Sequence, residues 1–370
     1  MMQETKTKQN VGRIIAKTAA RTGAVLLAFI VAVAATLLLS LNMICSSAFP
    51  SAQQMFVTTI LETGQLKFLA SWFLSADEIQ AIVDQNSMKE LNAEVDADLI
   101  QIGGNSGSVS VGGMNGSAAQ AVPQQDIEIV EVAGSTFTGT MMIVRDPSRI
   151  SLATIYPWRE VGVTLDTLVN SNGAVAGING GLYDSSNNTG GKPYGVIVSN
   201  GEIQFNEPHK WPGLVLIGFD ENHILQIIDI DGMKADEVET LIRERKIRDA
   251  VTFQEEASDA NNHFVQLIIN NEARQMHGSG SGLNPRTAIG QRADGSVLLF
   301  VTDGRGKSGH LGASSGDLIQ VMQQFGAVNA ANLDGGSSSC MYYDGEYLMT
   351  SVTFYYSNSS WKLPAGFIVK

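Results

Sequence analysis

Cysteine and histidine are scarce in this chain of 370 residues, which contains two cysteines and five histidines. Because Cys45 and Cys340 lie far apart in the sequence, they do not indicate a disulfide framework. Four histidines stand alone, without the HExxH or paired spacing typical of a zinc site: His209, His223, His263 and His277. The sequence therefore predicts neither a disulfide-stapled fold nor a zinc centre, and no cofactor is evident in it.

Positive charge is also scarce, and part of it is confined to the N-terminus. The first 41 residues hold five of the 24 Lys and Arg residues but only one of the 37 Asp and Glu residues, so the rest of the chain carries a net charge of −17. A surface with this excess of negative charge repels nucleic acid and anionic membranes. We therefore expect no nucleic-acid partner.

Charge is missing altogether from residues 22–41, a run of about twenty residues that is long enough to span a bilayer as a helix. Because five cations precede this run within residues 1–21, the positive-inside rule predicts a cytoplasmic leader and an extracytoplasmic remainder. The chain is then a single-pass protein of the cell membrane. A cleaved signal peptide is the alternative, since Ser46-Ser47-Ala48 resembles a cleavage site, but the long basic leader favours an anchor.

Two further segments separate the apolar run from the rest of the chain. Residues 42–102 have apolar residues at helical spacing and predict a helical stalk, with a capped helix start at Ser75–Glu78. We interpret this stalk as a spacer, with pairing to a partner as the alternative. Residues 103–125 are uncharged and rich in Gly and Ser, which predicts a flexible linker. A domain of residues 126–370 follows.

The distal domain is dense in strand signals. Three hairpin turns are predicted between apolar runs, at residues 200–201, 220–223 and 292–295. Two helices are predicted, over Lys234–Arg248 and between Ser314 and Gly326. The second helix connects the strand at 296–302 to a strand at 328–333. Antiparallel hairpins together with this β-helix-β unit predict an α+β domain that is built on a mixed β-sheet with flanking helices.

Polar residues are expected to converge at one edge of this sheet. Pairing across the turn at residues 292–295 places Arg286 near Val301 and therefore at the same edge as Asp303. The helical crossover should return the chain parallel to that strand, so Asp334 joins them. Ligands bind outside the strand ends in sheets of this kind. Asn179-Gly180-Gly181 ends another strand, whose place in the sheet the pattern does not determine.

Such an edge would combine an arginine, two carboxylates and a turn with hydroxyl groups. The planar fork of an arginine matches phosphate oxygens, and paired carboxylates serve glycoside hydrolysis. Gly335-Gly336 allows a sharp turn whose N–H groups, with Ser337-Ser338, can bind an anion or a sugar. A structural ion pair between Arg286 and Asp303 is the alternative. Clustered carboxylates could also bind a divalent cation, Ca²⁺ or Mg²⁺.

Four motifs follow one another along the distal domain: Asn179–Tyr183 (NGGLY), Pro285–Gly290 (PRTAIG), Asp303–Arg305 (DGR) and Asn332–Ser338 (NLDGGSS). In this order they resemble the motifs of the phosphodiester glycosidase family, which is related to the enzyme that uncovers mannose 6-phosphate by removing N-acetylglucosamine. The resemblance extends over roughly residues 130–370. It implies hydrolysis of a sugar-1-phosphate diester, with Arg286 holding the phosphate and Asp334 near the reaction centre.

The predicted site has catalytic carboxylates at Asp334 and Asp303, which we expect to lie side by side so that repulsion raises the proton affinity of one of them. The predicted substrate- and phosphate-binding set is Arg286, Thr287, Asn179, Gly180, Gly181, Gly335, Gly336, Ser337 and Ser338. Further candidates are His310 for proton transfer, Tyr183 and Asp184 for sugar contact, and Arg305. His310 as a surface residue and Tyr183 as a cover of the sheet end are the alternatives.

These features predict an extracytoplasmic hydrolase that cleaves a glycosyl phosphodiester in cell-surface or exopolysaccharide metabolism. Its expected partners are a phosphorylated glycan or sugar-phosphate diester and, through residues 22–41, the membrane. A non-catalytic phosphoglycan-binding module and a glycosyl-phosphate transferase are the alternatives. A binding module would gain nothing from two carboxylates beside an anionic ligand, which favours an enzyme.

Overall fold

The computed structural model describes residues 2–46, 48–63, 66–89, 91, 93–103, 126–258, 262–278, 280–352 and 358–370. The predicted linker at 103–125 lies outside these residues apart from Gly103. The chain divides into two compact units, residues 1–56 and 57–370.

The α-helices of the described residues are α1 (Met2–Ile44), α2 (Pro50–Leu61), α3 (Phe68–Ser71), α4 (Ala76–Gln85), α5 (Leu165–Ser171), α6 (Ala235–Glu244) and α7 (Ser315–Gln324). The first unit is dominated by α1, whose segment Ile14–Ile44 is exposed and is long and apolar enough to cross a membrane. The run predicted at 22–41 therefore lies inside a longer helix. By length and composition this helix fits a single-pass anchor or a signal sequence, and its orientation stays a prediction.

The described strands are β1 (Ile127–Ala133), β2 (Thr138–Val144), β3 (Ile150–Thr154), β4 (Ala176–Asn179), β5 (Val196–Ser199), β6 (Glu202–Asn206), β7 (Leu214–Asp220), β8 (Leu225–Asp229), β9 (Ile247–Gln254), β10 (Glu256–Ala257), β11 (Asn262–His263), β12 (Gln266–Ile269), β13 (Glu272–Ala273), β14 (Thr287–Arg292), β15 (Val297–Thr302), β16 (Ala327–Asn332), β17 (Met341–Tyr343), β18 (Glu346–Met349) and β19 (Ala365–Val369). Sheet A has the order β1-β2-β15-β14-β16-β12-β13, sheet B the order β18-β17-β4-β19-β3, and sheet C the order β6-β5-β9-β7-β8. The short strands β10 and β11 form a separate pair.

Sheet A contains the strand ends on which the predicted site depends. β14 pairs antiparallel with both β15 and β16, with Thr287 opposite Val301 and Ala288 opposite Asn332. β15 and β16 therefore run parallel to each other with β14 between them. Among the described strands, hydrogen-bonded neighbours are antiparallel rather than mixed, because the crossover through α7 passes over β14. The predicted α+β class with flanking helices is confirmed.

Sheets A, B and C share one apolar core. Alternate residues of β15, namely Val297, Leu299 and Val301, face this core, whereas Leu298 and Phe300 pack in the cluster that contains α7. A strand that is buried on both faces reads as a continuous apolar run rather than as an alternation. α5 packs in the same way against sheet B, and α6 against sheet C.

Two predicted helix starts are confirmed at the level of single hydrogen bonds. The Ser75 hydroxyl accepts the Glu78 N–H at 3.3 Å, and the Ser75 N–H donates to the Glu78 carboxylate at 2.8 Å. Ser314 and Asp317 form the same reciprocal pair at the start of α7. These capping boxes satisfy N–H groups that have no partner within the first helical turn.

The predicted helix at 234–248 is shorter than expected, because α6 ends at Glu244. Lys246 adopts a positive φ of 52°, and Ile247 begins β9. The prediction to Arg248 was wrong because charged residues continue past the helix end and conceal the change to the two-residue period of a strand.

Residues 57–102 belong to the second compact unit and do not form a separate stalk. Met88 forms a β-bridge with Met276, and the Gln101 N–H donates to the Ala293 carbonyl at 2.7 Å. Met88, Val95 and Ile100 pack in apolar clusters with residues of the domain, which does not fit a spacer.

Candidate active site

The start of β14 and the ends of β15 and β16 meet at one edge of sheet A, as the pairing argument predicted. The Arg286 N–H donates to the Thr302 hydroxyl at 2.9 Å, and the Leu333 N–H donates to the Thr287 carbonyl at 2.8 Å. These bonds fix the positions from which Asp303 and Asp334 extend. The arginine and the two aspartates are therefore brought to the same edge.

Asn179, at the end of β4, connects sheet B to this edge. Its side-chain N–H donates to the Asp334 carbonyl at 2.7 Å, while its amide oxygen accepts from the Thr287 hydroxyl at 2.8 Å and the Cys340 N–H at 3.2 Å. Asn179 and Thr287 therefore hold the Asp334 turn in place. Cys340 is fully buried, and burial raises the pKa of its thiol, as expected for a packing residue rather than a nucleophile.

Gly180 and Gly181 serve close packing between strands. A Cβ atom at Gly181 would lie 2.2 Å from the Thr252 carbonyl oxygen, and one at Gly180 would lie 3.2 Å from the Ala365 carbonyl oxygen. Only glycine leaves enough room for the first of these approaches. The two residues after β4 thus approach the backbones of β9 and β19 closely.

The Asp334 side chain is half-buried, and its pKa is raised above the ordinary value of an aspartate. Its carboxylate accepts hydrogen bonds from the Gly335 N–H and the Ser338 hydroxyl, and Arg305 lies close enough to attract its charge. Burial nevertheless outweighs these three effects and raises the pKa of Asp334 to about 7. The predicted repulsion from Asp303 is therefore not the cause; loss of contact with water produces the shift.

Gly336 and Tyr183 shape the turn that follows Asp334. Gly336 has a φ of +61°, a conformation that favours glycine, and a Cβ atom there would lie 2.6 Å from the guanidinium of Arg305. The Gly336 N–H donates to the Pro285 carbonyl at 2.7 Å and is therefore not free for an anion. The buried Tyr183 hydroxyl lies 3.0 Å from the Ser338 hydroxyl. Tyr183 thus supports the turn from beneath, in agreement with its interpretation as a cover.

Arg305 lies at the exposed rim of the site. Its Nε donates to the Asn284 side-chain oxygen at 3.0 Å, and its Nη1 donates to the Ser337 hydroxyl at 2.7 Å. These two bonds orient a planar guanidinium beside the Asp334 turn. Arg305 therefore combines accessibility with the geometry that suits a phosphate.

Arg286 is buried, with 2% of its side chain exposed, and it contacts protein groups. Its Nε donates to the Ala313 carbonyl at 3.1 Å, and its Nη2 donates to the Ser281 hydroxyl and the Gly282 carbonyl, both at 2.8 Å. The same Nη2 lies 2.9 Å from the Glu62 carboxylate, whose side chain is 1% exposed. The geometry thus makes Arg286 a buried anchor that is neutralised by Glu62, and its partner is not Asp303.

Asp303 is directed toward His310. Its Oδ1 accepts the Thr138 N–H at 2.8 Å, and its Oδ2 accepts the Thr138 hydroxyl at 2.7 Å and lies 2.6 Å from His310 Nδ1. Because an ionised carboxylate can only accept, this contact places a proton on Nδ1, and Nε2 is an acceptor in the neutral form of this tautomer. His310 is half-buried and is fixed in its loop rather than loose at the surface.

Asp184 is not gathered with these groups. Its carboxylate accepts the Ser186 N–H at 3.0 Å, and hydrogen bonds from the Ser186 hydroxyl, chiefly, and from this N–H lower the pKa of Asp184. It therefore stabilises its own loop. Among the described residues, no group of three or more His, Cys, Asp or Glu side chains is placed so that it could hold a metal ion.

Glu62 and His263 were missed by the sequence reasoning. His263 Nε2 lies 3.9 Å from the Glu62 carboxylate, and its ring stacks on Phe253 with centroids 5.6 Å apart. Burial lowers the pKa of His263, while Glu62 opposes this effect. Glu62 lies far upstream of the motifs, at a position where no sequence signal marks it.

The model of the phosphodiester glycosidase family matches residues 172–370, which is more than half of the chain. The chain belongs to the phosphodiester glycosidase family.

Three relatives give the range of similarity. The catalytic domain of zebrafish N-acetylglucosamine-1-phosphodiester alpha-N-acetylglucosaminidase, described as auto-inhibited by its pro-peptide, is 17% identical, with 66% of this chain and 81% of that chain covered and a TM-score of 0.49. A protein of Burkholderia pseudomallei K96243 described as exported is 14% identical, with 63% and 74% covered and a TM-score of 0.41. The SPbeta prophage-derived uncharacterized protein YomE of Bacillus subtilis (strain 168) is 38% identical over 65 residues, which are 18% of this chain and 10% of that protein. The match thus spans a tenth of that relative's length, and the roles of residues here rest on this chain's own geometry.

Proposed function

We propose that this protein is an extracytoplasmic hydrolase that cleaves a glycosyl phosphodiester, that is, a sugar-1-phosphate diester of a cell-surface or exopolysaccharide glycan. One observation carries the proposal beyond family membership. Asp334 has a pKa of about 7 and lies beside an accessible arginine and hydroxyl groups. A carboxyl group that is partly protonated near neutral pH next to a site for an anion is suited to proton transfer to a phosphate oxygen.

In this proposal Arg305 and the Ser337 hydroxyl hold the phosphate. The Arg305 guanidinium is already oriented by Asn284, so little conformational freedom is lost when it binds an anion. Arg286 lies beneath this site and contributes positive charge that Glu62 offsets. The phosphate-binding role predicted for Arg286 thus passes to Arg305.

Water then adds to the anomeric carbon as the bond from that carbon to the phosphate oxygen breaks. Asp334 donates its proton to the departing oxygen, and His310 Nε2, held by Asp303, accepts the proton of the water. A phosphate leaving group needs less protonation than an alcohol, so Asp334 contributes part of the rate rather than all of it. A general acid must be protonated to act, and the pKa of Asp334 is about 7. We therefore expect kcat to fall as the pH rises above about 7.

Hydrolysis is tested by incubating the purified full chain in detergent with UDP-sugars and simple sugar-phosphate diesters. Asp334→Asn keeps the shape of the side chain and should lower kcat by at least about a hundredfold while the protein stays folded. Binding of these compounds without turnover would support the phosphoglycan-binding module instead. Transfer of the glycosyl phosphate to an added acceptor sugar would support the transferase.

The extracytoplasmic placement is tested separately. Protease added to intact cells should digest the second unit and leave a membrane-bound fragment that contains α1. Recovery of a soluble mature protein that begins near Phe49 would show that α1 is a signal peptide, and full protection of the second unit would contradict its placement outside the cytoplasm.

A further inference from the structure

The ion pair between Glu62 and Arg286 joins two parts of the chain that the family match separates. Glu62 lies upstream of residues 172–370, whereas Arg286 lies in the PRTAIG motif within them. The two side chains are 1% and 2% exposed, so each charge depends on the other for compensation. The site edge is therefore formed by residues from inside and outside the matched region.

The backbone around Glu62 is interlocked with the loop that precedes Arg286. The Leu283 N–H donates to the Thr59 hydroxyl at 3.1 Å, and the Asn284 side chain donates to the Glu62 carbonyl at 3.4 Å. A Cβ atom at Gly282 would lie 2.2 Å from the Thr58 carbonyl oxygen, which shows how closely the two backbones approach. Asn284 in turn orients Arg305, so this contact reaches the phosphate-binding rim.

The segment that follows Glu62 is also hydrogen-bonded to residues 270–275 of the domain. Arg274 donates from its buried Nε to the Lys89 carbonyl at 2.8 Å, and the Lys89 N–H donates to the Gln275 carbonyl at 2.9 Å. The Asp96 N–H donates to the Asn270 side chain at 2.8 Å. Residues 57–102 are therefore held both to the loop before β14 and to residues 270–275, as an integral part of the fold would be.

We propose that residues 57–102 complete the active site from outside the family-matched region, and that Glu62 is a positioning residue. Its carboxylate fixes Arg286 and offsets the charge of that guanidinium, so the accessible Arg305 is the cation that takes the substrate phosphate. This proposal rests on the proposed function for its kinetic consequences. The physical association of the two parts is independent of any activity.

Association is tested by inserting the recognition sequence of a site-specific protease between residues 104 and 125 of the full chain. After cleavage, the two fragments should co-elute in detergent and retain the phosphodiester glycosidase activity of the uncut protein. Separation of the fragments with activity retained by the C-terminal part would overturn the proposal in favour of a spacer. A rise in activity on cleavage or separation would overturn it in favour of an inhibitory cover.

The role of Glu62 is tested by comparing Glu62→Gln with Glu94→Gln in the full chain. Glu94 is a matched control because it lies in the same segment as Glu62 and also pairs with an arginine of the domain, Arg245, at 2.6 Å. In contrast to Glu62, 78% of its side chain is exposed. Glu62→Gln should lower kcat about tenfold and strengthen inhibition by inorganic phosphate about three- to tenfold, because the positive charge of Arg286 is no longer offset. Glu94→Gln should change neither quantity.

Partial unfolding alone would lower kcat and weaken phosphate binding together. A lower kcat with stronger phosphate inhibition therefore separates a positioning role of Glu62 from a structural one. Unchanged phosphate inhibition in a folded Glu62→Gln protein, or a higher kcat, would contradict the proposal. Phosphate binding is also measurable by calorimetry without turnover. A chain with no hydrolytic activity would therefore refute the proposed function and leave the co-elution and binding results to decide this inference.

Discussion

Two arginines of the candidate site occupy opposite environments. Arg286 is buried, donates to two backbone carbonyls and a hydroxyl, and faces the carboxylate of Glu62. Arg305 is at the exposed rim and is oriented by one amide and one hydroxyl beside Asp334. A buried ion pair gains stability only when both partners are present, whereas an accessible guanidinium can exchange water for a ligand. The comparison indicates that the first arginine holds the site together and the second one binds.

The largest expected effect lies on the buried side. Arg286→Met leaves the Glu62 carboxylate buried without its partner, so the free energy of unfolding should fall by about 3 to 5 kcal/mol in chemical denaturation. Adding Glu62→Gln should restore part of this loss. The control is Arg245→Met, which breaks the exposed pair with Glu94 and should cost less than about 1 kcal/mol. If Arg286→Met also lowered the free energy of unfolding by less than about 1 kcal/mol, the buried-anchor role would be contradicted.

A second prediction concerns the open side and its pH dependence. The pKa of Asp334 is raised from its ordinary value to about 7 in the folded protein, so its contribution to stability is present at low pH and is lost as the pH rises through about 7. Asp334→Asn cannot ionise, so its free energy of unfolding relative to that of the wild type should rise by about 3 to 4 kcal/mol between pH 4 and pH 8.

The control for this measurement is Asp184→Asn. Hydrogen bonding lowers the pKa of Asp184, so that variant should lose stability relative to the wild type as the pH rises, which is the opposite sign. Parallel stability curves for Asp334→Asn and the wild type would show that Asp334 is not desolvated.

The smallest expected effect concerns the support beneath the Asp334 turn. Tyr183→Phe removes the hydroxyl that lies 3.0 Å from Ser338 Oγ but keeps the buried ring. The free energy of unfolding should fall by about 1 kcal/mol, and kcat should change by less than about threefold. A loss of kcat as large as that expected for Asp334→Asn would show that Tyr183 contacts the substrate.

Sequence reasoning reached the convergence of Arg286, Asp303 and Asp334 because it depends on local pairing and on chain direction. The turn at residues 292–295 sets the register of β14 and β15, and the crossover sets the direction of β16. Both follow from rules that need no knowledge of the other sheets. The order of β14 between β15 and β16 is a property of the whole sheet and was not accessible in this way.

The division of labour between the arginines could not be predicted from the sequence. It depends on Glu62, which is more than two hundred residues upstream of Arg286 and lies in a segment that reads as a stalk. Exposure is also decisive, because the DGR motif does not reveal that Arg305 is oriented by Asn284 and Ser337. Likewise, the sequence at Gly180 and Gly181 predicts a turn that binds a ligand, and only the structure reveals the carbonyl oxygens that lie close to these glycines.

The most direct test of this account compares Arg305→Lys with Arg286→Lys, measuring kcat/KM and Tm on the same preparations. Both substitutions keep a positive charge and remove the planar fork. Arg305→Lys should lower kcat/KM about tenfold with Tm nearly unchanged, whereas Arg286→Lys should lower Tm by several degrees. The opposite result, in which Arg286→Lys impairs phosphate capture at constant Tm and Arg305→Lys has no effect, would contradict the account.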